Sequence, residues 1–303
     1  MNRGLGRGGP PRWREPGGGA PGGSRFGGRR EPSEPPARGV CPIYQQAQAR
    51  TRLPGSEWSA SANPGLLHDR YADVWVGPPC WPRPSAQGRQ QSPGQRFLQD
   101  VASHVGRVGP AVRPLLDSLH QRRARLWQRP PGVVLELQLA TPLVSGLGLS
   151  HPLESGFVWD RNLGVPYLPG SSLKGAARAW AEQWAGLPAT DARRIFGELD
   201  TDGAGSVIFH ALYPLQPVAL RVDVLNPHFG ESRGGEPPGD WLAPVPVFFL
   251  TVPPRTRFRT AVQARRLAGE EDAACAARCL VEALTTLGSG AKTAVGYGLF
   301  AAT

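Results

Sequence analysis

The order of elements written into residues 132–303, namely strand, helix, hairpin, strand, helix, strand, predicts an α+β fold of the ferredoxin-like kind. Two observations carry that expectation. The region opens with a run of period-two apolar residues, and two apolar-periodic segments bounded by capping or glycine residues interrupt the strand-like stretches that follow.

Val133, Leu135, Leu137 and Leu139 fall on one face of an extended chain, so residues 133–140 read as the first strand. A glycine-punctuated loop leads to Ser171 or Ser172. Either hydroxyl is placed to cap a helix running to Trp184, and Gly186 supplies the residue that ends it. Residues 207–213 and 218–225, split by a turn at Pro214, are expected to pair as a hairpin. Residues 245–252 and 257–264 are two further strands, 269–287 an alanine-rich helix, and 298–302 the last strand.

Residues 40–131 read as a partly helical N-terminal extension, with helices expected over 96–105 and 111–127. In the second, Val112, Leu115, Leu116, Leu119 and Leu126 keep helical spacing, and Arg122, Arg123 and Arg125 favour its C-terminal turn. Residues 1–39 are dominated by glycine, proline and arginine. Such a tail buries too little apolar surface to offset its ordering entropy and is expected to be disordered. Cys41, Cys80, Cys275 and Cys279 are too few for a disulfide scaffold, and no apolar leader opens the chain, so a cytoplasmic protein is expected. The longest apolar run, near 242–252, is broken by Pro244 and Pro246, which leaves no membrane-spanning candidate.

A formal net charge of +10 favours a polyanionic partner. Of the 34 basic residues only Lys174 and Lys292 are lysines, and each stands in a Gly/Ser-rich turn. Leu168-Pro169-Gly170-Ser171-Ser172-Leu173-Lys174-Gly175, with Arg178 one helical turn beyond Lys174, sets free N–H groups, two hydroxyls and two cations at the positive end of a helix. That is the chemistry of a phosphate clamp; simple helix caps beside a solvated lysine are the structural alternative. The second turn, LGSGAKTAVGYG at 287–298, is not a nucleotide P-loop. Ala291 precedes Lys292, Thr286 holds the outer glycine position, and a helix enters where a strand should. The two turns are expected to converge on one groove for a nucleic acid strand.

No metal or other cofactor is expected. Asp200-Thr201-Asp202 begins like a calcium loop, but Ala204 and Ala211 stand where carboxylates are needed. Cys275 and Cys279 have no second ligand pair, and His68-Asp69 lacks partners at metal-binding spacing.

Four motifs in this order resemble the RAMP superfamily of CRISPR RNA-binding proteins: TPLVSGLG at 141–148, LPGSSLKG at 168–175, Phe196-Gly197 followed by GSVIF at 205–209, and the terminal glycine loop. HPLESGF at 151–157 and DVLNPHFG at 223–230 are most similar to the sixth-subunit family of type III-B Cmr effector complexes, and NPGLLHDRY at 63–71 adds a further match. The resemblance implies an RRM-like ferredoxin core over 132–303 and a non-catalytic assembly subunit. That subunit would stand beside other RAMP subunits near the 3′ end of a CRISPR guide RNA, in antiviral defence. Carried over to this sequence, the RNA-binding residues are Gly170, Ser171, Ser172, Lys174 and Arg178 in the first turn and Gly288, Gly290, Lys292 and Thr293 in the last. His151 and His228 join them as loop residues with a structural or RNA-contact role. An alternative is a repeat-RNA-processing endoribonuclease of the same superfamily, using His151 or His228 for proton transfer. His210 stands where the family often has an aspartate.

Overall fold

The computed structural model describes residues 61–72, 92–128, 130, 132–151, 153, 155–198, 203–226, 246–266 and 269–302. The tail at 1–39, Cys41, Cys80, the turn at 199–202 and His228 lie outside the described residues. In chain order the elements are α1 (Pro64–Arg70), α2 (Pro93–Leu126), β1 (Gly132–Leu139), α3 (Gly170–Gln183), α4 (Ala189–Phe196), β2 (Val207–Phe209), β3 (Tyr213–Pro214), β4 (Arg221–Leu225), β5 (Val247–Thr251), β6 (Arg257–Ala264), α5 (Glu270–Thr286) and β7 (Phe300–Ala302). A short 3-10 turn, Thr293–Val295, precedes β7.

The fold is a mixture of helices and antiparallel sheet. The main sheet has the order β2-β6-β1-β7 with β3 also on β6, and every neighbouring pair is antiparallel. Leu137 of β1 stands opposite Phe258 of β6, and both side chains are buried under α3 and α5 together with Leu173, Ala177, Leu280 and Leu284. The alternation that marked β1 in the sequence is thus the alternation between this core and the opposite face. There Glu136 pairs with Arg257 and Arg259.

Three expectations are corrected. First, α2 is one continuous helix rather than two. Ser92 Oγ accepts from the Gln95 N–H at 3.1 Å and Pro93 occupies the first turn, so the start is well capped. Pro110 and Pro114 each remove a backbone hydrogen bond, yet Phe97, Val101, Val105, Val108, Val112 and Leu116 bury one unbroken face across them. Second, residues 207–213 do not pair with 218–225. β2 and β3 join β6, while β4 pairs with β5 in a separate two-stranded sheet, Arg221 opposite Thr251 and Leu225 opposite Val247. Pro214, read as the turn, lies in β3 opposite Phe258. The local turn signal loses to the long free edge of β6, which buries Val207 and Pro214 against the core.

Third, neither Ser171 nor Ser172 caps α3. Pro169 is the N-cap and makes no side-chain bond, and both serines lie exposed in the first turn. Gly186, with φ +62, does lie just past the helix end. α4 was not foreseen; Ala192, Ile195 and Phe196 are its buried side chains. No helix among the described residues is long and apolar enough to cross a membrane.

Candidate nucleic-acid interface

The start of α3 is built by close packing on β2. A Cβ on Gly170 would collide with the Phe209 carbonyl oxygen, so glycine is required for the helix to begin there. The N–H groups of Ser172 and Leu173 donate to the Pro169 carbonyl at 3.0 and 3.3 Å. Those of Gly170 and Ser171 have no hydrogen-bond partner among the described residues. No acidic residue stands in the first turn, so nothing from α3 itself cancels the positive end of its dipole. Two exposed hydroxyls and Lys174, which enters no ion pair among the described residues, stand in the same turn, and together they are the kind of donor set that could hold a monoanionic phosphate.

Arg178 does not stand open beside them. Its Nε donates to Glu182 at 2.7 Å and its Nη1 to the Gly197 carbonyl at 3.1 Å, and its side chain is 17% exposed. It braces α3 to the end of α4.

The terminal loop departs further from expectation. The N–H groups of Gly288, Ser289 and Ala291 donate to the carbonyls of Ala283, Gly298 and Val144 at 3.0, 2.9 and 2.7 Å. Gly290 has φ +100, and a Cβ there would collide with the Val144 carbonyl; at Gly288, φ +77, it would meet the Gly298 carbonyl at 2.8 Å. These glycines let the loop fold onto its own chain and do not form a phosphate cradle. Lys292 remains, its Nζ 5.5 Å from the centre of the Phe249 ring, with Thr293 half-buried beside it. Tyr297 anchors the same loop by donating to Asp223 Oδ2 at 2.8 Å; burial, then that carboxylate, pushes its hydroxyl up to about 12.

The expected common groove is not formed. α3 begins against β2 at one edge of the main sheet, whereas the terminal loop feeds β7 at the other, and no hydrogen bond or ion pair joins the two turns among the described residues.

His151 is engaged at both nitrogens. Its Nε2–H donates to the His68 carbonyl at 2.8 Å, and its Nδ1 accepts from the Leu153 N–H at 3.1 Å. The ring stacks on His68 with centroids 4.1 Å apart and planes 18° from parallel. Burial, then the neighbouring His68, lowers its pKa to about 4, so it is neutral at pH 7. His68, Asp69 and His151 offer three metal-ligating atoms within 4.8 Å of one another, a juxtaposition hidden from spacing because His151 lies 83 residues away. Both His151 nitrogens are already taken up in hydrogen bonds, so binding an ion there would have to break one of them.

Arg123 has a role the sequence did not reveal. Its guanidinium lies 5.0 Å from the Trp127 ring and 4.9 Å from the Tyr213 ring, and it donates to the Ala211 carbonyl, fixing α2 to the sheet. The spacing of Arg123 and Trp127 by four residues on one helix was the available signal.

Residues 136–301 match the family profile described as the RAMP superfamily. Among curated proteins, the chain is similar to CRISPR system Cmr subunit Cmr6 of Pyrococcus furiosus, 32% identical over 220 residues, covering 52% of this chain and 64% of that protein. It is similar also to CRISPR system CMR subunit Cmr6 of Saccharolobus solfataricus, 27% identical over 215 residues, covering 67% and 70%. The chain therefore spans less than two thirds of the Pyrococcus protein. Among solved structures, a chain in the cryo-EM structure of the type III-B Cmr-beta bound to cognate target RNA shares its fold, with TM-score 0.50 and 23% identity over 72% of this chain and 77% of that one. With more than half of its length matched by the family profile, the chain belongs to the RAMP superfamily.

Proposed function

We propose that this protein is a non-catalytic, guide-RNA-binding assembly subunit of a type III-B Cmr effector complex, placed beside other RAMP subunits near the 3′ end of the guide and serving antiviral defence. The observation that carries the reading is the uncapped start of α3, where two N–H groups without a partner among the described residues stand with two exposed hydroxyls and Lys174. Similarity to the Cmr6 proteins supports the choice of complex. The strand order β2-β6-β1-β7, with α3 between β1 and β2 and α5 between β6 and β7 in sequence, supports a ferredoxin-like core of two interleaved strand–helix–strand units. Residues before 132 are then its N-terminal extension. Supporting the non-catalytic reading, His151 holds both nitrogens in hydrogen bonds and has little basicity left to take a proton from a 2′-hydroxyl.

Lys174→Ala is expected to weaken binding of a labelled single-stranded guide RNA several-fold and to flatten the dependence of log K on log salt by about 0.7, the value of one lost phosphate contact on a single strand. Unchanged affinity and slope would leave the α3 turn a helix start and nothing more. Cleavage of repeat RNA that disappears in His151→Ala would favour the endoribonuclease alternative.

A further inference from the structure

We propose that Arg255 is a second phosphate-contacting residue, acting with Lys292, so that an RNA strand crosses residues 139–144 between them; this rests on the RNA-binding reading above. The observation is a backbone one. Among the described residues every positive φ belongs to a glycine except two, Arg255 at 67° and Lys292 at 62°. A side chain in the left-handed region is strained by about 1 kcal/mol or more relative to glycine, which would occupy either position freely. At both places the chain keeps a cation instead.

The surrounding protein makes little use of those cations. Arg255 is exposed, and its guanidinium enters no hydrogen bond or ion pair among the described residues. The Lys292 ammonium faces the Phe249 ring and enters no ion pair among the described residues. The backbones, by contrast, are held firmly. The Arg255 N–H donates to the Leu139 carbonyl at 2.7 Å, Gln138 Nε2 donates to the Arg255 carbonyl at 3.3 Å, and Thr256 Oγ1 closes the turn on the Pro253 carbonyl at 2.7 Å. The Lys292 carbonyl accepts from the N–H groups of Val295 and Tyr297, both at 3.2 Å. Strain that the fold over-determines, with the strained side chain left to solvent, is the mark of a residue held for something outside the chain.

Both turns hang from one stretch of backbone. Arg255 is tied to Leu139, the loop of Lys292 is tied through Ala291 to Val144, and Leu143 bridges Val252 between them. Five residue-to-residue steps separate Leu139 from Val144 and span at most about 17 Å, the reach of a few nucleotides. Arg257, the next cation along, is already paired with Glu136, whereas Arg255 can offer its planar N–H fork to a phosphate.

The test uses the full chain, a fluorescent single-stranded oligouridine and the variants Arg255→Gly and Lys292→Gly, with Lys174→Ala for comparison. Glycine relieves the backbone strain, so each glycine variant is expected to melt no lower than the parent while binding RNA three- to ten-fold more weakly, with a salt slope about 0.7 shallower. Parental affinity and slope in Arg255→Gly, alongside a loss in Lys174→Ala, would overturn this inference and spare the reading it rests on. A lower melting temperature in Arg255→Gly would show that the side chain serves the fold and would overturn it equally. A parent chain that binds no RNA would sink both.

Discussion

Gly298→Ala is expected to cost about 4 kcal/mol and to lower the melting temperature by about 10 °C. Gly298 has φ +74, and a Cβ there would collide with the carbonyl oxygen of Ser289. That collision cannot be relieved cheaply, because both residues are locked: the Ser289 N–H donates to the Gly298 carbonyl at 2.9 Å, and the Gly298 N–H donates to the Pro142 carbonyl at 2.8 Å. Any shift breaks the ladder that joins the terminal loop to the end of β1 and misaligns β7, whose Phe300 is buried. Gly186→Ala provides the comparison. It has a similar φ of +62 but open space around it, so only the backbone term of about 1 kcal/mol is expected. Thermal melts followed by circular dichroism separate the two; equal, small losses would mean that the terminal loop is not locked as described.

The second large effect is on acid stability. His104, His120, His151 and His210 all have folded-state pKa values lowered from 6.5, in each case first by burial. For His120 the nearby Arg259 and Arg123 add to the lowering, and Asp117 opposes it. These rings bind a proton more weakly folded than unfolded, so below about pH 6.5 the unfolded chain takes up more protons and stability falls. For His151, lowered to about 4, the loss continues down to that pH and amounts to roughly 3 kcal/mol when complete. Glu136, held below its ordinary value by Arg259 and Arg257, belongs to a lower window. Its contribution is present above 4.5 and lost as pH falls through the folded value. Urea midpoints at constant ionic strength should therefore drop steadily from pH 6.5 to 4, and less steeply in His151→Gln. A flat midpoint across that window would contradict the buried, neutral histidines.

The parts of the fold that could be read from the sequence are those whose burial is periodic and local. β1 and β6 are long strands with an alternating or continuous apolar face, and α5 follows its alanine pattern almost to the residue. Where a local signal competes with a distant partner, the partner wins. Pro214 signals a turn, yet the free edge of β6 takes both β2 and β3, and the two prolines in α2 signal a break that one continuous buried face overrides. Of the candidate site, the sequence made legible the placing of Ser171, Ser172 and Lys174 in the first turn of a helix, because a helix start with hydroxyls and a rare lysine is a local arrangement. The glycines were legible only in part. Gly170, Gly288 and Gly290 announce a close backbone approach, and no sequence signal told whether the approaching group is a phosphate or the chain's own carbonyl. The meeting of His68 with His151, and the strained backbone of Arg255, depend on contacts between distant segments and had no signal in spacing.

Amide hydrogen exchange at Gly170 and Ser171 tests the proposed α3 phosphate site most directly. Neither N–H group has a partner among the described residues, so both should exchange rapidly, whereas Gly288, Ser289 and Ala291, already bonded within the terminal loop, should be slow from the start. Saturation with single-stranded guide RNA is predicted to slow Gly170 and Ser171 by about tenfold or more and to leave the three loop amides unchanged. RNA bound at saturation with Gly170 and Ser171 still exchanging at their free rates would contradict the account.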